Sequence, residues 1–452
     1  MNNTSKVVHY SQNLTFDRLP KAVVEEAKTL VLDTIGALFA GWPSRHPASR
    51  IIGDYVKDMG GIQECTVFGR EFKAPVAYAG LVGGTMGYAA DVEGGILSPP
   101  PVHVAASNVP TSLLMGERQN ATGAELLTAL SLGYDITDRV SKANATPHSY
   151  PHSFHPSAIF STFGAVAIAG YLLKLDEKQF INAFGLAGNN AGGLIAWVND
   201  PSEQSRPLNN GLAARNGIQA ALLAAKGFGG PLGILDDIKY NIFDAYSGAM
   251  NLEEITRELG SDFAITRHDG YKKYTCCYDI HTGLDGLLKI LNENDITAGQ
   301  IEKITHTVSA TRKSVIDNNI LRSHNAQYIM SVAAVQREIK WDDFLKDRRI
   351  EPEIGDMFKR IHLEGSKELA DSPFHEPAIV EVKTKDGQSY TERVNLPRGH
   401  LKNPMTTEEL KQKFLRFAAA AVSDKRAEQI IDMVTRLETL ESVRDLTALL
   451  AY

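Results

Sequence analysis

Four stretches of the chain hold more reactive side chains than packing demands. The first is Asp91-Val-Glu-Gly-Gly-Ile-Leu-Ser-Pro-Pro-Pro-Val-His103. It puts a carboxylate, a glycine turn, a proline run and an imidazole in one loop, and loops on a rigid scaffold are where catalytic groups sit. The same composition also suits an ordinary surface connection. The second, His148-Ser-Tyr-Pro-His152-Ser-Phe-His155-Pro156, has three histidines in eight residues. On one helix they would share a face, as metal ligands do, but Pro151 and Pro156 interrupt such a helix. The expectation is a loop entering a helix at Pro156, with one histidine as acid or base near neutral pH.

The third stretch is Ser205-Arg206-Pro-Leu-Asn-Asn-Gly211-Leu-Ala-Ala-Arg215-Asn216. Arg206 is placed before a helix running from about Gly211 to Ala225, whose free N–H groups favour anions. Its guanidinium can grip a carboxylate with two parallel hydrogen bonds; a solvated surface arginine is the plain alternative. The fourth is Arg267-His268-Asp-Gly-Tyr-Lys272-Lys273-Tyr-Thr-Cys-Cys277-Tyr-Asp-Ile-His281. Cations and histidines meet an aromatic, cysteine-bearing run where one domain gives way to another, a common place for a ligand cleft.

These segments need elements to hold them. Val24, Ala27, Val31, Ile35 and Leu38 recur at helical spacing and Gly41 supplies a stop. Thr122 and Glu125 have the spacing of a capping box, and Asp176 opens another helix. Glycine and alanine are dense from 157 to 230, the signature of closely packed helices. After about residue 264 the pattern changes. Ile301 to Val308 alternates as a half-buried strand does, and Ala378–Lys385, Asp386-Gly387 and Gln388–Val394 read as a hairpin. Helices are predicted near 325–338 and 341–347. Helical character returns at Thr406 or Thr407, so the last helices can rejoin the first domain. The fold class is therefore mainly α: a large helical domain from both chain ends (1–264 and 396–452) with an inserted α+β lid (265–395).

At 452 residues the chain fits two domains, and a net charge of −7 argues against a general nucleic-acid partner. An anionic substrate would be repelled by that field, so its site must concentrate cations. Three cysteines, Cys276 and Cys277 adjacent, make neither a disulfide framework nor a cluster or zinc pattern. No nucleotide fingerprint is present, no signal core opens the chain, and the uncharged run after Pro156 is too short and polar for a membrane span. A cytoplasmic enzyme without metal or cofactor, acting on a small molecule, is the expectation.

Together, and in this order, the segments resemble the MmgE/PrpD family, whose activities include 2-methylcitrate dehydration, cis-aconitate decarboxylation and iminodisuccinate epimerisation. The resemblance also covers Val31-Leu-Asp-Thr-Ile-Gly-Ala37, Gly133-Tyr-Asp-Ile-Thr-Asp-Arg139 and Arg398-Gly-His-Leu-Lys-Asn-Pro404. It implies a homodimer and a pocket containing Asp91, His103, His155, Arg206, Lys272, Cys277 and Tyr328, with Lys273 beside it. One of His155 and His103 would serve as base and the other as acid, Asp91 would orient one of them, Tyr328 would donate a proton or a hydrogen bond, and Lys272 and Arg206 would hold carboxylates.

This chain departs from the family pattern within the pocket. Asp-Val-Glu-Gly-Gly replaces Asp-Phe-Asp-Asp-Thr, Arg206 stands where decarboxylases of the family have lysine, and Cys277 where they have histidine. The implied reaction begins with proton transfer at a carbon beside a carboxylate of a small polycarboxylate. Dehydration of a 2-methylcitrate-like substrate is ranked narrowly first; epimerisation, decarboxylation and a non-catalytic polycarboxylate-binding role are the alternatives.

Overall fold

The computed structural model describes residues 1–96, 101–145, 151–372, 374 and 376–452, with Pro151 by its backbone alone. His148 lies outside the described residues.

The helical signals fold as their chemistry dictates. Helix α1 (Lys21–Ala40) buries Val24, Ala27, Val31, Ile35 and Leu38 and stops at Gly41. Helices α2 (Val76–Ala89) and α3 (Ala105–Gln119) follow. Helix α4 (Gly123–Lys142) starts on the Thr122–Glu125 capping box, with both reciprocal bonds made. The uncharged run becomes α5 (Pro156–Leu172), buried on nearly every side. Its Ile159, Phe160, Phe163 and Ile168 are shielded from water, each stabilising the fold by about 1.5–3 kcal/mol. Among the described residues no helix is long and apolar enough to cross a membrane. Helix α6 (Glu177–Asn190) is capped by Asp176.

Helix α7 (Ser205–Ala225) begins earlier than the expected Gly211. Pro207 falls in its first turn, where a missing N–H costs nothing, so Arg206 is part of the helix and not a residue before it. Helices α2 and α7 approach so closely that a methyl group on Gly84 would stand 2.6 Å from the Asn210 carbonyl oxygen. Gly84→Ala is expected to cost about 1–3 kcal/mol through overpacking, read as a lower melting temperature by circular dichroism. Asn210 rides on that contact and donates to the His103 carbonyl at 2.8 Å, so activity should fall with stability. An unchanged melting temperature would mean the helices do not pack this tightly.

The C-terminal region is a mixed sheet with helices. Strands β1 (Ile301–Ser309), β2 (Ile361–Ser366), β3 (Ala378–Thr384) and β4 (Ser389–Val394) lie in the order β2-β1-β3-β4, with β1 and β2 parallel and the other pairs antiparallel. The predicted β3–β4 turn forms at Asp386-Gly387, Gly387 having φ 88°. Helices α8 (His281–Glu293) and α9 (Ala326–Gln336) share a core with the sheet. The helix predicted at 341–347 does not form. The Asp343 carboxylate instead accepts the Lys340 N–H and the Arg348 guanidinium, both at 2.6 Å, a local bond that competes with helix.

The end of the chain returns to the first core. Helix α10 (Thr407–Ala418), capped by Thr406, puts Phe414 and Phe417 into the cluster that also contains α1. Its Lys413 reaches Asp33 of α1 at 2.6 Å and the Val92 carbonyl at 2.9 Å. A buried ion pair spanning both chain ends thus braces the loop that follows Asp91.

Candidate active site

The loop after α2 turns at Asp91, whose φ of 53° is left-handed. Aspartate tolerates that conformation better than most residues. The carboxylate is buried between two cations: Oδ1 lies 2.5 Å from Lys272 Nζ and 3.1 Å from Arg206 Nη1. Lys272 also donates to the Asp91 carbonyl at 3.2 Å. Burial alone would raise the Asp91 carboxyl, but Arg206 and then Lys272 override it and hold it well below the usual carboxylate range. Burial likewise works against the Lys272 ammonium, yet Asp91 wins and raises it.

Lys272 reaches Asp91 because its segment is pinned on both sides. Gly270 bridges to Gly95 and to His400. With φ 117° and the Gly399 carbonyl oxygen 2.0 Å from where a methyl group would sit, that position requires glycine. Tyr271 N–H donates to the Gly399 carbonyl at 2.9 Å. The Arg398-Gly-His400 turn therefore clamps the strip that presents Lys272.

Two positions beyond Asp91, Glu93 is fully buried and its Oε1 lies 2.7 Å from His103 Nδ1. A carboxylate only accepts, so Nδ1 carries the hydrogen and Nε2 is left with its lone pair. The sequence reading assigned the orienting carboxylate to Asp91; the structure assigns it to Glu93, because Asp91 is taken by cations. The Tyr88 ring lies 4.6 Å from His103 and 4.3 Å from the Arg206 guanidinium carbon.

His155 forms the N-cap of α5, and its Nδ1 lies 3.0 Å from Asn209 Nδ2. That amide also donates to the Leu194 carbonyl at 3.4 Å, so Nδ1 accepts and the hydrogen of the neutral ring sits on Nε2. Burial, then His103 and Arg206, push His155 well below the usual histidine range. It is a fixed hydrogen-bond donor.

A third histidine joins them. His324 packs 5.6 Å from Trp197, whose ring is also 5.6 Å from His155. Its Nδ1 lies 2.9 Å from the Ser323 hydroxyl, which itself donates to Glu203. The imidazole then donates from Nδ1 and keeps Nε2 as an acceptor. Burial pushes His324 down to about 4. The sequence pattern points to Tyr328 and not to His324, which precedes it by four residues in Ser323-His324-Asn-Ala-Gln-Tyr328.

These groups surround a cavity of about 350 Å³ lined by Asp91, His103, His155, Lys272 and His324, by Tyr88 and Trp197, and by Cys277, Asp279, Arg312 and Glu376 of the C-terminal region. Arg206 stands behind Asp91. Cys277 is a buried thiol, raised well above its usual range by burial and then by Asp279 and Asp91.

Two expected site residues are placed elsewhere. The Tyr328 hydroxyl lies 2.5 Å from the Asp343 carbonyl and 3.0 Å from that of Lys346, in the core of the C-terminal region and away from the cavity lining. Lys273 is outside the cavity lining and pairs with Asp285 at 3.1 Å. The ligand atoms of Asp91, Glu93 and His103 lie within 4.8 Å of one another, a spacing compatible with a metal ion. Lys272 and Arg206 already neutralise Asp91, however, and their positive charge opposes a divalent cation there.

Two family descriptions match the chain: the MmgE/PrpD N-terminal domain over residues 5–255 and the MmgE/PrpD C-terminal domain over residues 274–439. Among its relatives is the mouse (Mus musculus) protein named cis-aconitate decarboxylase, 24% identical over 97% of this chain and 91% of the relative. The human (Homo sapiens) protein of that name is 25% identical over 97% and 92%. One from Aspergillus terreus is 24% identical over 99% and 95%.

Proposed function

The chain belongs to the MmgE/PrpD family, and from that premise we propose that it is a lyase breaking a bond beside a carboxylate of a small polycarboxylate, with CO2 loss as the first reading. The observation that carries this is the meeting of Asp91, His103, His155 and Lys272, from separate segments, on one cavity. Sequence alone ranks dehydration first. The decarboxylase names of full-length relatives move CO2 loss ahead of it.

In such a step the carbon–carbon bond to the departing carboxylate breaks and its electron pair stays on the substrate, spread towards a conjugated carboxylate. A proton then adds to carbon. The Lys272–Arg206–Asp91 cluster retains one unbalanced positive charge beside the cavity, and a preorganised donor facing developing negative charge is worth about 3 kcal/mol. The His103 Nε2 lone pair takes up a proton from solvent and passes it to that carbon, with Glu93 fixing the tautomer and stabilising the transient imidazolium. His155 donates a hydrogen bond from Nε2 and leaves its proton in place.

Dehydration is kept as a second reading by one feature: the Glu376 and Asp279 carboxyl groups are hydrogen-bonded to each other, an arrangement that holds a proton for a leaving hydroxyl. Incubation with cis-aconitate, 2-methylcitrate and iminodisuccinate in D2O, followed by NMR and CO2 trapping, separates the outcomes. CO2 with one deuterium on the new carbon–hydrogen bond is expected. New vinyl signals without CO2 would mean dehydration, and exchange without net conversion epimerisation. Binding with no exchange, CO2 or alkene would reduce the protein to a binder. A chelator should leave the rate unchanged; its loss on treatment with EDTA would place a metal in the mechanism.

A further inference from the structure

Glu93 backs His103 directly, and a second buried glutamate backs a second imidazole of the cavity through a serine. Glu203 Oε1 accepts the Ser323 N–H at 3.2 Å, its Oε2 accepts the Ser323 hydroxyl, and Ser323 Oγ lies 2.9 Å from His324 Nδ1. All three residues are buried. The chain of bonds crosses between the two matched family domains, Glu203 lying within residues 5–255 and Ser323 and His324 within 274–439. Glu203 is held there in a left-handed backbone conformation, φ 57°, which is unfavourable for a residue with a Cβ. The turn around it is wound on Asp200, whose carboxylate accepts the N–H groups of Ser202, Gln204 and Ser205 at 2.9, 3.2 and 2.9 Å. Strain of this kind persists where the surroundings over-determine it, and it clusters at functional sites.

The direction of these bonds follows from what each group can do. A carboxylate only accepts, so the Ser323 hydroxyl commits its hydrogen to Glu203 and turns a lone pair to His324. Nδ1 then donates, and Nε2 is left bare. His155, which packs on the same Trp197 ring, is set the other way by Asn209 and donates from Nε2. We propose that Glu203 is a positioning residue: acting through Ser323, it fixes His324 as the proton-accepting group of the cavity. This rests on reading the cavity as the substrate site, and not on which bond breaks there. In CO2 loss, Nε2 accepts a hydrogen bond from a substrate carboxyl that keeps its proton beside like-charged neighbours. In dehydration it takes the proton from carbon, the electron pair of the C–H bond stays on the substrate, and the imidazolium so formed is paired with Glu203 through the serine. The two rings with a free Nε2 thus divide the work: His103 gives a proton and His324 accepts one.

Glu203→Gln reverses the relay. Its amide oxygen can still accept the Ser323 N–H, but its amide nitrogen donates to the Ser323 hydroxyl, which turns its hydrogen to His324 Nδ1 and moves the ring hydrogen to Nε2. Nitrogen NMR of protein with isotopically labelled histidines reads this directly, His324 being assigned by the signals lost in His324→Gln. The native ring is expected to carry its hydrogen on Nδ1 and the Glu203→Gln ring on Nε2, with kcat/KM lower by about tenfold or more on whichever substrate the D2O screen identifies. Thermal melting is the folding control. Ser323→Ala cuts the relay and keeps the backbone bond to Glu203; it should lose a similar share of activity, and adding Glu203→Gln to it should cost little more. A native ring with its hydrogen on Nε2, a tautomer unchanged in Glu203→Gln, or full activity after the reversal would each overturn the proposal. If Glu203→Gln does not fold, full activity in Ser323→Ala overturns it. Any of these with native CO2 release intact leaves the lyase reading standing. The expected reversal in a protein that turns over none of the candidates would instead remove the lyase reading and keep the relay.

Discussion

Replacing His103 by glutamine is expected to lower kcat by about 10²–10⁴-fold, the usual contribution of one positioned acid or base. The Nδ1 hydrogen is committed to Glu93 at 2.7 Å, so Nε2 is the nitrogen available to carry a proton. His155 lacks this freedom, its Nδ1 being occupied by Asn209. Glu93→Gln keeps the side-chain length but removes the charge that stabilises imidazolium, and should cost less than losing the ring. Measurements on purified variants, with melting temperature as the folding control, distinguish the roles. Full activity in His103→Gln together with an inactive His324→Gln would transfer the proton to His324, whose Nε2 is also left as an acceptor.

The second large effect is on stability. Asp91→Asn keeps a residue type that accepts the left-handed turn but leaves Lys272 and Arg206 buried without their anion. Breaking a buried pair by removing one partner typically costs about 3–5 kcal/mol. The pH dependence has a definite sign. The folded-state pKa of Asp91 is depressed, so its contribution is present above the unfolded carboxylate value, near 4, and is lost as pH falls through the lower folded value. Denaturation curves of native and variant protein should differ by a constant amount from pH 5 to 8 and converge only below about pH 4. Equal stability at pH 7 would show that the two cations find other partners.

Much of the scaffold was legible locally. The capping residues Thr122, Asp176 and Thr406, the stop at Gly41 and the Asp386-Gly387 hairpin each depend on bonds made within a few residues. Errors came where a distant or competing bond decides. Helix α7 gained its first turn because Pro207 fits there, and 341–347 lost its helix to the Asp343 carboxylate. The family resemblance implied Tyr328 in the pocket, but its hydroxyl is held by two backbone carbonyls of the same region.

The division follows from the range of the forces. By itself the sequence determined the residue types able to move a proton and hold an anion, the helices and strands with local signals, and the place of Asp91 in a loop. Only the tertiary structure decided which charges cancel. Asp91 lies far along the chain from Arg206 and Lys272, yet burial makes their pairing the dominant electrostatic fact of the site. It gave Glu93 to His103 and brought in His324. Coulomb energy in a buried site depends on distances of a few ångströms, and those are made by folding.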